Sequence, residues 1–351
     1  MKKIVGVVLI QTALFSADNL AEAFSNVSMD GTIRMGVVHT EDSAGKKARS
    51  TTLGGNMGIE TESLYGVSLG ARFYTTNALF GKDNEPMFLG SKGDSYSILG
   101  EAYIRWNMGN TSLKAGRQVL ETPYINSDDV GMIQNTFEGY RLQNRDIPDT
   151  LLSVGLIDRW AGIDSSKPEG FTKLQSSHDA VIMASIIYEG LDNTTLQAWQ
   201  YKFDNADFNY FEAGYETDTF NIGIQYSNQD HGNNVFGLTS TLSQGDVAFT
   251  VAYNKVDGIV TNGFGGGPFF TSAEDHTIEI DELNQEGIMG RIEYVADRFS
   301  LALNHAHFEV GEDDTDYIAS YVMSDEGSLD FIYSDLYGDG KLIRFFANYS
   351  F

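Results

Sequence analysis

Cysteine is absent from this 351-residue sequence, and proline occurs only five times. An exported chain without cysteine forgoes disulfides, so its stability has to come from backbone closure and packing. Positive charge is also scarce. The 23 Lys and Arg against 49 Asp and Glu leave a net charge of −26, a surface that repels phosphates and argues against a nucleic-acid partner. Beyond residue 23 no apolar run approaches the length that a membrane helix requires. Nor is there an H-E-x-x-H, a G-x-S-x-G or a phosphate loop ending in G-K-[ST], so no catalytic residue, metal ligand set or cofactor is expected.

What the chain does have is glycine and aromatics: 37 Gly, 18 Tyr and 22 Phe, a composition of strands and turns. Its first residues, "MKKIVGVVLIQTALFSADNLAEA", pair Lys2 and Lys3 with an apolar run and a small-residue exit at Ala21 to Ala23. That layout predicts a secretory signal peptide over 1–23, with cleavage after Ala23 or after Ala17. The mature chain, 24–351, is then one unit, since all-β barrels often run this long as a single domain.

Period-two segments of about ten residues recur along the mature chain, the signature of transmembrane β-strands. Val27, Met29, Ile33, Met35 and Val37 alternate with Ser28, Asp30, Thr32 and Arg34; Phe220, Ile222, Ile224 and Tyr226 alternate with Asn221, Gly223 and Gln225. The pattern predicts strands at 27–39, 51–62, 67–77, 95–107, 111–119, 135–143, 150–159, 179–189 and 194–203. It continues at 207–217, 219–228, 234–243, 247–256, 286–296, 299–308, 316–324, 328–334 and 341–351. Eighteen is an even number, as a barrel with both ends on one side requires.

The connections support this independently. Short turns alternate with longer segments, the longest at 78–94, 120–134, 160–178 and 257–285, and all five prolines fall in connections. Outward aromatics (Trp106, Tyr188, Phe220, Tyr294, Phe299, Tyr349 and Phe351) gather at the turn end, where amphipathic rings prefer a membrane boundary. The expected fold is therefore all-β: a transmembrane antiparallel barrel of about eighteen strands in the outer membrane of a Gram-negative bacterium, touching lipid and lipopolysaccharide. The last strand, ending at Phe351, should pair with the first and leave no edge. With few residues ahead of the first strand, no plug domain is expected. Trimeric assembly is left open.

Residues 113–142, "LKAGRQVLETPYINSDDVGMIQNTFEGYRL", bring in a family. Gly116-Arg117-Gln118, Thr122-Pro123, Asp128-Asp129 and Phe137-Glu138-Gly139 resemble the strand–constriction loop–strand segment of OprD-type outer-membrane porins. The resemblance implies an eighteen-stranded barrel whose third external loop folds inward, carrying Pro123, Tyr124, Asp128 and Asp129 into the lumen. It also implies uptake of small solutes that often bear a carboxylate, such as amino acids or organic acids.

Parity places Arg34, Arg72, Arg105 and Arg344 on the inner face, and a lipid-facing arginine would cost about 2–4 kcal/mol. The last strand lies beside the first, so these arginines share one wall. Arg291 and Arg159 are inward by the same parity, and Arg141 is undecided. Strict alternation puts Arg117 outside unless a bulge near Gly116 re-aims it. Opposite them stand Asp128, Asp129 and the acidic segment "EDHTIEIDEL" (274–283), giving a transverse field across a water-filled constriction.

The competing account pairs the arginines with Glu60, Glu101 and Glu293 as wall struts. "GFGGGP" (263–268) reads as a flexible connector, "GEDDTDY" (311–317) as a solvated external face, and His305 with His307 as an interface pair. The expected function is passive, partly selective diffusion of small carboxylate-bearing solutes. A general size-sieving porin is the alternative, and an outer-membrane enzyme or adhesin the third reading.

Overall fold

The computed structural model describes residues 16–80, 86–177, 179–230, 232–278 and 282–351. The apolar part of the predicted signal peptide, residues 1–15, lies outside the described residues. A short helix, α1 (Leu20–Ser25), is capped by Asn19, whose side chain accepts from the Glu22 N–H. It packs against the turn after the second strand, where the Glu62 N–H donates to Ala23 O; ahead of it the Ala17 N–H donates to Ser63 O.

Among the described residues nineteen strands form one antiparallel sheet. They are β1 (Ser28–Asp42), β2 (Lys47–Glu60), β3 (Val67–Phe80), β4 (Tyr96–Met108), β5 (Thr111–Gln118), β6 (Thr136–Asn144) and β7 (Thr150–Ala161). Next come β8 (Thr172–Lys173), β9 (Val181–Leu191), β10 (Thr194–Lys202), β11 (Asp207–Glu216), β12 (Phe220–Gln229) and β13 (Asn233–Gln244). The rest are β14 (Val247–Asp257), β15 (Glu286–Ala296), β16 (Phe299–Phe308), β17 (Asp314–Val322), β18 (Gly327–Asp335) and β19 (Gly340–Ser350). The two-residue β8 only extends the edge of β7; β7 pairs directly with β9, so the barrel has eighteen staves.

Closure is made by β1 and β19, in register from Thr32↔Ser350 to Asp42↔Gly340. Phe351 and Gly31 extend it by exchanging both backbone hydrogen bonds at 3.0 Å. Gly31 leaves room there: a Cβ on it would sit 2.7 Å from the Phe351 ring.

Each of the eighteen predicted strands is present, with ends shifted by a few residues. The largest shift is at the first hairpin, expected to leave 40–50 as loop and observed with only four residues between β1 and β2, 43–46. Asp42 Oδ1 accepts from the Ala44 and Lys46 N–H groups and closes the turn, while Glu41 and Lys47 pair across the strands at 3.2 Å. Strand above the bilayer needs no apolar face, so periodicity could not reveal it.

The outer surface is as expected. Met29, Ile33, Leu53, Met57, Phe73, Ile104, Ile224 and Phe249 are exposed, the condition of side chains that face lipid. The inner face is less polar than expected. Tyr201, Tyr210, Trp199, Val235, Ala252 and Met289 point inward and are buried under loops that fold into the upper barrel. An apolar inner wall is stable only where protein covers it, so this lining and the inward loops depend on each other.

Replacing lipid-facing Ile224 in mid-β12 by arginine is expected to destabilise the barrel by about 2–4 kcal/mol. Denaturant unfolding of the protein in lipid vesicles measures this; a loss below about 1 kcal/mol would show that this face does not meet lipid.

Candidate functional site

One wall of the lumen carries a stepped row of arginines. Arg105 is level with Ser68, and Arg72 stands four residues further up β3 (68 to 72). Arg72 is level with Gly58 and hence Asp30, and Arg34 stands four residues further up β1 (30 to 34). Arg344 is level with Val38, four residues above Arg34 (34 to 38). At about 3.3 Å per residue each step rises roughly 13 Å along the strands. The row is Arg105, Arg72, Arg34, Arg344, from the turn end towards the long loops.

Each guanidinium is held. Arg105 pairs with Glu60 at 2.9 Å, and Arg72 with Asp30 at 2.5 Å and Glu101 at 3.2 Å. Arg34 grips Asp129 through both terminal nitrogens, at 2.7 and 2.8 Å, and donates to Gly131 O and Asn348 Oδ1. Arg344, 1% exposed, pairs with Asp275 at 2.9 Å and Glu274 at 3.5 Å. On a separate part of the wall, inward Arg291 lies 3.5 Å from Glu293. The wall struts expected from Glu60, Glu101 and Glu293 are therefore present, and so are the acidic loops.

The segment 119–135 crosses the lumen. At one end Tyr124 is fully buried among Tyr201, Phe208 and Tyr210, and its hydroxyl meets Ser227 Oγ at 2.5 Å and accepts from Gln229 Nε2 at 3.0 Å. Burial pushes the Tyr124 phenol up to about 12, with the Ser227 and Gln229 hydrogen bonds opposing. At the other end Asp129 reaches Arg34 on β1, opposite β11 and β12 in strand order. Around Tyr124, Thr122 Oγ1 donates to Ile125 O and closes a tight turn that includes partly buried Pro123.

The described part of the segment 258–285, residues 258–278 and 282–285, folds in beside it. Phe264 N–H donates to Tyr124 O, and Asn126 N–H to Phe264 O, so the two loops form a backbone bridge. "GFGGGP" is thus no flexible connector. Gly263 has φ +77, and a Cβ on it would lie 2.4 Å from Tyr124 O; only glycine permits this approach. Further along, Glu274 and Asp275 sit against Arg344. Burial raises both carboxyl pKa values and the guanidinium pulls each back.

Several expectations need correction. Arg117 leaves the pore row, because β4–β5 pairing runs without a shift from Ile104↔Ala115 to Ala102↔Arg117 and keeps Arg117 on the outer face. There it pairs with Glu138 at 3.0 Å and stacks 4.4 Å from the Phe171 ring. Arg159 is outward too: a bulge at Asp158, between the pairs Glu138↔Arg159 and Gly139↔Ile157, reverses the parity that put it inside. Asp128 lies against the glycine run, where a Cβ on Gly266 would sit 2.5 Å from its carboxylate. His305 and His307 are exposed on the outer face and bonded to Thr315 and Asp313, as an interface pair would be.

Two basic residues were overlooked or left open. Lys114 and Arg141 face each other on the inner side of β5 and β6, with Lys114 3.7 Å from both Glu101 and the Tyr103 ring. The alternation that put Arg117 outside already put Lys114 inside, so that signal was in the sequence. Beneath the loop a cavity of 360 Å³ is lined by Asp30, Arg34, Asn56, Arg72, Glu101 and Asp129, among others. A small solute entering it meets two guanidinium groups and their carboxylate partners.

Comparison with known proteins agrees with this architecture. A model of the outer membrane porin, OprD family, matches residues 52–267. Among solved structures, OpdK of Pseudomonas aeruginosa with vanillate is 15% identical at a TM-score of 0.79, over 93% of this chain and 99% of that one. OccAB1 of Acinetobacter baumannii is 15% identical at a TM-score of 0.77, over 93% and 96%. OpdG (OccK9) of Pseudomonas aeruginosa is 16% identical at 0.77, over 93% and 99%. No curated protein matches.

Truncating Tyr124 to alanine removes the aromatic anchor and two hydrogen bonds of the loop, a loss of about 3–5 kcal/mol by analogy with buried aromatics. The expected outcome is a larger, noisier single-channel current with the barrel intact. An unchanged current would mean that this loop does not set the aperture.

Proposed function

The chain belongs to the OprD family of outer membrane porins, and on that premise we propose that it is a passive, partly selective channel for small hydrophilic solutes bearing a carboxylate. Its setting is the outer membrane of a Gram-negative bacterium, where it meets lipid and small solutes; family and fold are those of channels. The proposal includes removal of the N-terminal segment on export, and the hydrogen bond from the Glu62 N–H to Ala23 O in α1 favours a cut after Ala17 over one after Ala23.

The observation that carries the solute class is the stepped arginine row passing the constriction. A guanidinium presents a planar fork that matches a carboxylate with two hydrogen bonds. Arg34 already holds Asp129 in that way, and Asp129 and Asp30 are the most exposed carboxylate partners in the row. Both aspartates are open to solvent, so an incoming carboxylate can exchange with them by replacing one charge-assisted pair with another. A solute then passes from one guanidinium to the next as each aspartate reclaims its partner. Vanillate, the compound in the OpdK structure, is itself a carboxylate.

A specific observation favours the second reading, a size-sieving porin. Every arginine of the row has a carboxylate partner, and the chain carries −26 overall, so the row is largely neutralised when no solute is present.

Planar-bilayer recordings with a panel of organic and amino acids separate the two. Selective passage predicts saturable block of the current by carboxylates, weakened about tenfold or more in an Arg34→Gln, Arg72→Gln double variant, since hydrogen bonds to charged groups contribute about 1.5–3 kcal/mol. Flux linear in concentration, graded by solute size and unchanged in the variant, would replace this reading with sieving.

A further inference from the structure

Two acidic stretches, 274–283 and 311–317, are separated by 27 residues of sequence (284–310). The fold brings them together. Asp275 comes from the inward loop; Asp314 and Asp316 come from the start of β17. One carboxylate oxygen from each lies within 4.8 Å of the other two. Asp314 and Asp316 are both 0% exposed. We propose that Asp275, Asp314 and Asp316 form a calcium site that fastens the loop 258–285 to the barrel wall.

Charge supports the assignment. The counter-ion in direct contact is Arg344, which Asp275 shares with Glu274. Arg291 lies nearer Glu293, and His276 Nε2 is directed to Asp339 at 3.6 Å. Two buried carboxylates and a partly buried third, against one shared guanidinium, leave surplus negative charge, which is costly unless a cation or a proton neutralises it.

Unmet hydrogen bonding gives a second, independent indication. Asp316 accepts from Ser334 Oγ, Asn304 Nδ2 and the Glu274 N–H, which leaves a lone pair on Oδ1 for a cation. Asp314 Oδ2 accepts from the Asp275 and His276 N–H groups, but its Oδ1 is buried with no hydrogen-bond partner among the described residues. Asn304, 4% exposed and held against Asp316 by its Nδ2, likewise keeps its Oδ1 buried and unpartnered. Orphaned buried acceptors beside clustered carboxylates suit a hard cation.

The donors are oxygens alone, which favours calcium or magnesium over zinc. Oxygens on opposite sides of a calcium at 2.3–2.6 Å stand at most about 5 Å apart, matching the cluster. Calcium's irregular coordination also tolerates a site assembled from a loop and two strands better than magnesium's near-octahedral demand.

The test uses the full mature chain refolded in detergent without lipopolysaccharide, which binds calcium itself. After chelation and dialysis, equilibrium binding of radioactive calcium should saturate near one ion per chain at or below millimolar calcium. Thermal unfolding should shift upward with calcium and much less with magnesium. An Asp314→Asn, Asp316→Asn double variant, which keeps shape and relieves repulsion, should fold and lose at least tenfold in affinity. Absence of saturable binding to wild type would overturn the site and leave a shared proton as the neutralising partner. Unaltered binding by the double variant, or equal response to magnesium, would overturn the residue assignment or the ion.

Discussion

Everything in this molecule depends on the bilayer's lack of water. An unpaired backbone N–H or C=O in hydrocarbon costs several kcal/mol, so a sheet crossing it must close on itself. Here closure falls to β1 and β19, paired in register along their shared length and extended by the exchange between Gly31 and Phe351. Once the cylinder is shut, side-chain direction is fixed two residues at a time. Outward positions at bilayer depth must be apolar, while inward positions are free to carry arginine, tyrosine or glycine.

That freedom is used unequally around the wall. Along β4, β3, β1 and β19 the interior is charged, and the four arginines climb it in equal steps. On the opposite side, aromatics of β10 and β11 make an apolar bed for Tyr124. The loop 119–135 bridges the two, greasy end against aromatics and acidic end against Arg34. The aperture is thus set by a strap tied at both ends, and the glycine run at 263–267 locks the neighbouring loop against it.

Lipid made the strands legible. Ile33, Ile224 and Phe249 had to alternate with polar or small residues, so eighteen strands could be read from period alone. What lipid does not touch was harder to read. The first hairpin rises above the bilayer on charged residues, and Glu41 and Lys47 carry no periodic signal. Bulges at Asp158 and near Gly100 reverse parity through backbone pairing, which side-chain pattern does not encode; hence Arg159 was assigned the wrong face. Val235 and Tyr201, apolar yet inward, are intelligible only once loops are seen to cover them. Of the site, Arg34, Arg72, Arg105 and Arg344 were legible because parity put them inside and arginine is costly against mid-bilayer hydrocarbon. Their partners were only partly so, and the meeting of Asp275 with Asp314 and Asp316 not at all, since it depends on where a long loop folds back.

The central claim is a closed sheet with lipid outside and a water-accessible arginine wall inside. The absence of cysteine makes one measurement direct: single cysteines placed in turn along β1 and β12, spin-labelled, with collision rates measured against oxygen in the membrane and a water-soluble relaxer. The account predicts a period of two, with positions 29, 33, 35, 222 and 224 relaxed by oxygen and positions 30, 32 and 34 reached from water. Uniform accessibility along both strands, or water contact at the Ile33 and Ile224 positions, would contradict it.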